Sequence, residues 1–243
     1  MSLTKVAAFN PSKGTWVFEN GETIQWGKPG NIPVPGAYTR KNVVELAVWD
    51  PSDAMLYVFG AGPRRFGKPG DVPVPADYGN DGLTRFAVWR ASEGRLIIDG
   101  MEDRVYTNRT GIPVPAHYDG PESAQFALWN PENGALSVED KFRLTWGQQG
   151  DVPCPADYQA TGTAVFAVYR PGNNNFYEYD TNGRKWGTEG DVPVPGNCLG
   201  ESHDRFAVWR PSNGRWYILE SHQEFNCGKA GDEPKPAAYF LVS

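Results

Sequence analysis

The chain repeats itself six times with a step of 40 residues. A Pro-x-Pro doublet stands at Pro33/Pro35, Pro73/Pro75, Pro113/Pro115, Pro153/Pro155, Pro193/Pro195 and Pro234/Pro236. In phase with it, an apolar segment ends on Phe9, Trp49, Trp89, Trp129, Tyr169 and Trp209. A further ladder runs Trp26, Phe66, Tyr106, Trp146, Trp186, and Cys227 takes its last rung. A fixed period of this size means one supersecondary unit copied and stacked. It predicts a single repeat domain over residues 1–243.

Each repeat reads as four short strands. In Val72-Pro73-Val74-Pro75-Ala76-Asp77-Tyr78 two prolines forbid helix and remove ladder donors, as suits a first or edge strand. Arg85 to Arg90 is rich in β formers, and so is Arg95 to Asp99. Arg104 to Thr107 makes the fourth strand. Between the second and third lies Ala91-Ser92-Glu93-Gly94, whose counterparts include Asn130-Pro131-Glu132-Asn133-Gly134 and Arg210-Pro211-Ser212-Asn213-Gly214. Pro early and Gly last fit a type I turn closed by a left-handed residue. Ala54 and Asn174 replace that Gly in two repeats. The 28 Gly and 21 Pro thus fall at fixed turn positions and do not signal disorder.

Six four-stranded antiparallel units placed radially make an all-β, six-bladed β-propeller. An open solenoid would need polar caps at both ends. Here the chain opens on a second strand (Lys5 to Phe9) and closes on a first strand (Pro234 to Tyr239). That offset predicts closure of the ring, with the C-terminal strand completing the N-terminal blade.

The segments Asp71 to Tyr78, Phe86-Ala87-Val88-Trp89-Arg90 and Trp186-Gly187-Thr188-Glu189-Gly190-Asp191 resemble the FG-GAP/VCBS-type repeats of bacterial secreted proteins. More loosely, the chain is similar to the propeller lectins of bacteria and fungi. The resemblance spans nearly the whole chain. It implies adhesion, sugar binding or service as a tail on an enzyme, and a secreted or cell-surface setting. It also implies a calcium loop, Asp-x-Asp-x-Asp-Gly, after the first strand. The best copy here, Asp77-Tyr78-Gly79-Asn80-Asp81-Gly82, lacks the middle carboxylate, and the other copies keep less. An ordinary polar turn is therefore the favoured reading, and neither a metal nor another cofactor is expected.

Candidate binding residues lie at the end of the second strand. Arg90, Arg170 and Arg210 follow its terminal aromatic in three repeats, and Asn10, Asp50 and Asn130 hold the place in the others. A guanidinium next to an indole, as at Trp89-Arg90 and Trp209-Arg210, offers a planar fork of donors for sugar hydroxyls or a carboxylate. The plain alternatives are a surface Arg stacked on a ring and a Trp that fills the core. The recurring Gly-Asp at Gly70-Asp71, Gly150-Asp151, Gly190-Asp191 and Gly231-Asp232 reads as a turn cap.

Catalysis finds no motif. His117, His203 and His222 stand alone, and no nucleophile signature occurs. The 40-residue step is broken by a single residue, between Trp216 and Cys227, so no loop is long enough for a lid. Cys154, Cys198 and Cys227 each replace an apolar or aromatic rung and read as buried free thiols. The net charge of −6 is interspersed and disfavours nucleic acid. No apolar run approaches the length of a membrane span. The expected function is a non-catalytic binding module, with lectin-like glycan recognition leading. A protein-interaction scaffold is second, and a glycan-active enzyme with a site on the propeller axis is third.

Overall fold

The computed structural model describes residues 3–41 and 43–240, with only the backbone of residues 3–5 and 236–240. It is all β: six four-stranded antiparallel sheets form the blades of a closed β-propeller, and no helix occurs among the described residues. Blades 2 to 6 occupy residues 32–65, 72–105, 112–145, 152–185 and 192–226. Blade 1 takes its first strand, Glu233–Phe240, from the far end of the chain. This strand pairs with Leu3–Asn10, and Pro234, Lys235 and Pro236 lie opposite Ala8, Ala7 and Val6. Ring closure therefore occurs as the offset of the repeat predicts.

In blades 2 to 6 the first strands are shorter than their sequence suggests. In blade 3 the ladder covers only Val72–Pro73, followed by an isolated bridge between Ala76 and Arg85. The prolines withhold the donors a longer ladder would need. The Tyr that ends the segment then folds back. Tyr38, Tyr78, Tyr118 and Tyr158 donate their hydroxyls to the carbonyls of Val34, Val74, Val114 and Cys154 at 2.6–2.8 Å. The second-to-third turn closes on left-handed residues as expected. Gly94 has φ 63°, and Ala54 and Asn174 adopt 56° and 58°. A Cβ on Gly94 would come within 2.4 Å of the Tyr106 carbonyl oxygen, so glycine is required there for space as well as for φ.

Six apolar clusters hold the ring together, each built from two adjacent blades. Phe9, Trp16 and Phe18 of blade 1 pack with Leu46 and Val48 of blade 2, and Val6 and Ala8 of blade 1 pack with Trp209 and Trp216 of blade 6. A second strand covered on both faces needs a continuous apolar run, and Ala47, Val48 and Trp49 are accordingly all buried. The buried indoles find acceptors at the fourth strand: Trp129 and Trp209 donate to the carbonyls of Trp146 and Cys227 at 2.9 Å. Cys154, Cys198 and Cys227 are buried and unpaired, and burial pushes each thiol up to about 12.

Neighbouring blades are matched at their outer edges. Arg64, Arg104 and Arg184 on three fourth strands pair with Asp99, Glu139 and Glu220 of the next blade. Where the fourth strand carries Leu144, the next blade presents Tyr179, and where it carries Ile24, the next blade presents Phe59. At these five junctions charge faces charge and apolar faces apolar.

Candidate binding sites

The two faces of the propeller differ in build. One carries the second-to-third turns together with the Gly-Asp turns, and is here called the turn face. The other carries the loops between first and second strands and the hairpins between third and fourth, and is called the loop face.

On the turn face, the arginines singled out by the sequence are already engaged. The Nε and terminal nitrogen of Arg90 each donate to a carboxylate oxygen of Asp71 at 2.8 Å. Arg170 holds Asp151 and Arg210 holds Asp191 in the same bidentate way at 2.8–2.9 Å. Hydrogen bonding to these carboxylates pushes the guanidinium pKa values further up. Each Asp also accepts the backbone N–H three residues earlier, from Lys68, Gln148 or Thr188. The Gly-Asp motif is thus a turn cap, as the sequence implies, and also the anchor for an arginine. The ring beneath the guanidinium is a tyrosine of the third strand: Arg170 lies 4.6 Å over Tyr177 and Arg210 4.3 Å over Tyr217.

Trp89 and Trp209 are 2 % and 1 % exposed. Their faces are turned to the core, as the packing alternative required, and offer no stacking surface to solvent. A ligand at Arg90, Arg170 or Arg210 would have to displace a buried carboxylate from a charge-assisted fork. The sequence holds a signal for the Asp partners. Only the three Arg repeats keep Asp nineteen residues earlier with the Arg, while Asp50 faces Asn31 and Asn130 faces Gly111. In blade 1, Asn10 donates to Asp232 at 2.6 Å, so the smaller pair is preserved across the ring closure.

On the loop face, Asp77 accepts the backbone N–H groups of Asp81 and Gly82, while Asp81 accepts that of Leu83 and pairs with Arg85. The two carboxylates retained from the calcium pattern thus serve a local turn, and no cluster of three metal-ligating acids, His or Cys occurs among the described residues.

Open grooves do occur on this face, between blades. Those between blades 2 and 3, 4 and 5, and 5 and 6 have volumes of about 470, 250 and 170 Å³. One wall of each is the folded-back tyrosine, Tyr38, Tyr118 or Tyr158, beside the phenylalanine of the next second strand, Phe86, Phe166 or Phe206. The other wall is the inter-blade pair: Arg64 with Asp99, Leu144 with Tyr179, Arg184 with Glu220. The third groove departs most from the repeat. Glu178 stands where blades 2, 3 and 4 carry Val58, Ile98 and Val138, and Asp204 stands where two other blades carry Ala124 and Ala164. Burial raises the pKa of Asp204, although its carboxylate accepts the Asp157 N–H at 2.9 Å.

No protein-family model and no curated protein matches the chain. A crystal structure of BBS1N in complex with ARL6DN, soaked with mercury, is similar to it, with a TM-score of 0.50 over 93 % of this chain and 80 % of that one. The two share the propeller. At 13 % identity the likeness is one of fold alone. A propeller is consistent with a non-catalytic binding or scaffold role, and the FG-GAP/VCBS resemblance rests on the repeat motifs only. No helix among the described residues is long and apolar enough to cross a membrane.

Proposed function

We propose that the chain is a non-catalytic recognition module that binds glycans in the grooves between its blades. The observation that supports this reading is the recurrence of one groove design at three junctions, with an aromatic wall facing a variable, mostly charged wall. The half-buried rings of Tyr38 and Tyr158 keep an apolar edge open to a sugar, and Arg with Asp or Glu supplies donors and acceptors for hydroxyl pairs. Several weak sites on one rigid ring would gain strength through avidity on a multivalent glycan. A glycan array probed with the purified chain tests the reading. Binding to a defined glycan class, weakened by Arg64→Ala or Arg184→Ala and unaffected by Arg90→Lys, supports it. A blank array at high protein density overturns it, and binding abolished only through Arg90, Arg170 and Arg210 moves the site away from the grooves.

A second reading, a protein-interaction scaffold, is favoured by a different feature. Val72, Ile112 and Val152 open the first strands of successive blades and are 44 %, 41 % and 38 % exposed. Equivalent apolar side chains at one edge of consecutive blades suit a protein partner. The structural neighbour named above was itself crystallised as a complex of two proteins. Val72→Asp/Ile112→Asp/Val152→Asp would abolish partner capture under this reading and leave glycan binding unchanged.

A further inference from the structure

One frame of side chains is built three times on the turn face, and one copy stands open. Between blades 4 and 5 the frame consists of Trp146, Asp151, Val168 and Tyr177, with Arg170 filling its centre. Between blades 5 and 6 it consists of Trp186, Asp191, Val208 and Tyr217, with Arg210 in the centre. In both, the Trp indole donates to the carbonyl of the Tyr, at 3.1 and 2.9 Å. Between blades 1 and 2 the same frame recurs as Trp26, Asn31, Val48 and Tyr57, and the indole donates to the Tyr57 carbonyl at 3.3 Å. Here Asp50 holds the arginine's position. The short side chain does not fill the frame, and a cavity of about 250 Å³ remains, lined by Trp26, Gly27, Lys28, Asn31, Val48 and Tyr57.

The open frame has kept the shape of a guanidinium site and inverted its hydrogen-bonding character. In the closed copies a carboxylate oxygen accepts from the Arg Nε. In the open copy that carboxylate is replaced by the Asn31 carboxamide. Its Oδ1 accepts the Lys28 N–H at 3.0 Å and so keeps the turn cap, while its Nδ2 is buried without a hydrogen-bond partner. Asn31 as a whole is only 4 % exposed. A buried donor left unpaired costs free energy that a ligand with an acceptor oxygen would recover. The Lys28 ammonium meets Asp50, whose other oxygen accepts from Ser52. A cationic ligand would meet donors and an ammonium. An anionic one would be brought beside the Asp50 carboxylate. The remaining lining is the flat ring of Tyr57 with the apolar Val48 and Trp26.

We infer that the open frame between blades 1 and 2 binds the planar, uncharged acylamino group of an N-acylated sugar. The carbonyl oxygen accepts from Asn31 Nδ2, the amide plane lies on Tyr57 where the other frames hold a guanidinium, and the methyl group meets Val48 and Trp26. The volume suits one such group with part of its ring, below the size of a drug-like pocket. This inference rests on the glycan reading above but uses a different site, on the opposite face.

The decisive experiment fills the frame. Asn31→Asp/Asp50→Arg rebuilds the Asp–Arg pair that the chain already carries in three blades, so the variant is expected to fold and to melt no lower than the wild type. Methyl glycosides of N-acetylglucosamine, glucosamine, glucose and glucuronic acid are titrated by calorimetry. The indole N–H resonance of Trp26, assigned by comparison with Trp26→Phe, is followed in parallel. The N-acetyl glycoside is expected to bind at least 10-fold more tightly than the other three, to shift the Trp26 resonance, and to lose this binding in the filled variant. Tyr57→Ile, which installs the residue that blade 3 carries as Ile97, is expected to weaken binding without unfolding the blade. Equal binding of the de-acetylated sugars, or undiminished binding by the filled variant, overturns this site and leaves glycan recognition in the grooves standing. A silent Trp26 resonance beside a positive array has the same meaning. A silent resonance beside a blank array overturns both.

Discussion

Arg90 and Asp71 stand nineteen residues apart in the chain and share two hydrogen bonds of 2.8 Å. The pair ties the end of a second strand to the turn that precedes the first, so it braces the blade at its turn face. The Asp side chain is 1 % exposed, and the Arg keeps a solvent-facing edge at 14 %.

The equivalent pair in blade 6 gives the first prediction. Arg210→Ala leaves Asp191, whose side chain is fully buried, without its countercharge. Removing one partner of a buried pair is strongly destabilising, and about 3 kcal/mol is expected here, at the low end because Arg210 is partly solvated. Urea unfolding measures it. Arg210→Lys should recover only part of the loss, because an ammonium cannot span both oxygens. A full recovery by Lys would show that charge alone matters.

Trp209 belongs to the core. Trp209→Ala should destabilise by about 3–5 kcal/mol, the range for deleting a buried aromatic. Trp209→Phe should cost less, chiefly the hydrogen bond to the Cys227 carbonyl. Thermal melts of both variants check the order. A stable Trp209→Ala protein that has lost ligand binding would return the ring to the list of contacts.

Asp50 couples stability to acid. Burial acts to raise its pKa, but Lys28 and Ser52 outweigh this and hold it at about 2, against an ordinary 3.8. The folded carboxyl thus releases its proton more readily than the unfolded one. Its contribution is complete above about pH 5 and is lost progressively as the pH falls through about 2. Asp50→Asn should flatten the denaturant midpoint between pH 4 and pH 2 relative to the wild type. Parallel pH profiles for the two proteins would contradict it.

Asp204 has the opposite sign. Burial raises its pKa, so its ionised form is penalised in the folded chain and its stability contribution is lost as the pH rises through the folded value. Asp204→Asn keeps an acceptor for the Asp157 N–H and removes the charge. It should raise the melting temperature at pH 7 and leave it unchanged near pH 3. A lower melting temperature at pH 7 would mean that the charge itself serves the groove.

The closing strand is the last test. Deleting the chain from Glu233 onward removes the first strand of blade 1 and exposes the edge formed by Leu3–Asn10. A sharp fall in melting temperature is expected, with a tendency to associate through the bared edge. An unchanged melt would mean that the apolar contacts between blades suffice without the first strand of blade 1.

The propeller was legible because six copies of one unit show which positions are apolar in all of them. Pro33, Pro73 and their equivalents marked the first strands, and the ladder from Phe9 to Trp209 marked the buried second strands. The sites were less legible because they arise from pairs that cross the repeat. Arg90 meets Asp71 from another turn, and Arg64 meets Asp99 from another blade. Neither spacing is a period of any secondary structure. Reading Arg90, Arg170 and Arg210 alone suggested free forks, and only their joint occurrence with Asp71, Asp151 and Asp191 marks them as occupied. The open frame depends on two substitutions together, Asn31 and Asp50, each unremarkable by itself.

The matched pairs at the blade edges mean that each unit carries an address. A ring assembled from identical copies could tolerate shuffling, since every neighbour would be equivalent. Here, exchanging blades 3 and 5 would set Arg64 against Tyr179 and leave Asp99 facing Leu144. Each such exchange would bury a charge against an apolar side chain at two junctions, so the order of the blades is written into the energetics of the ring and not only into the chain.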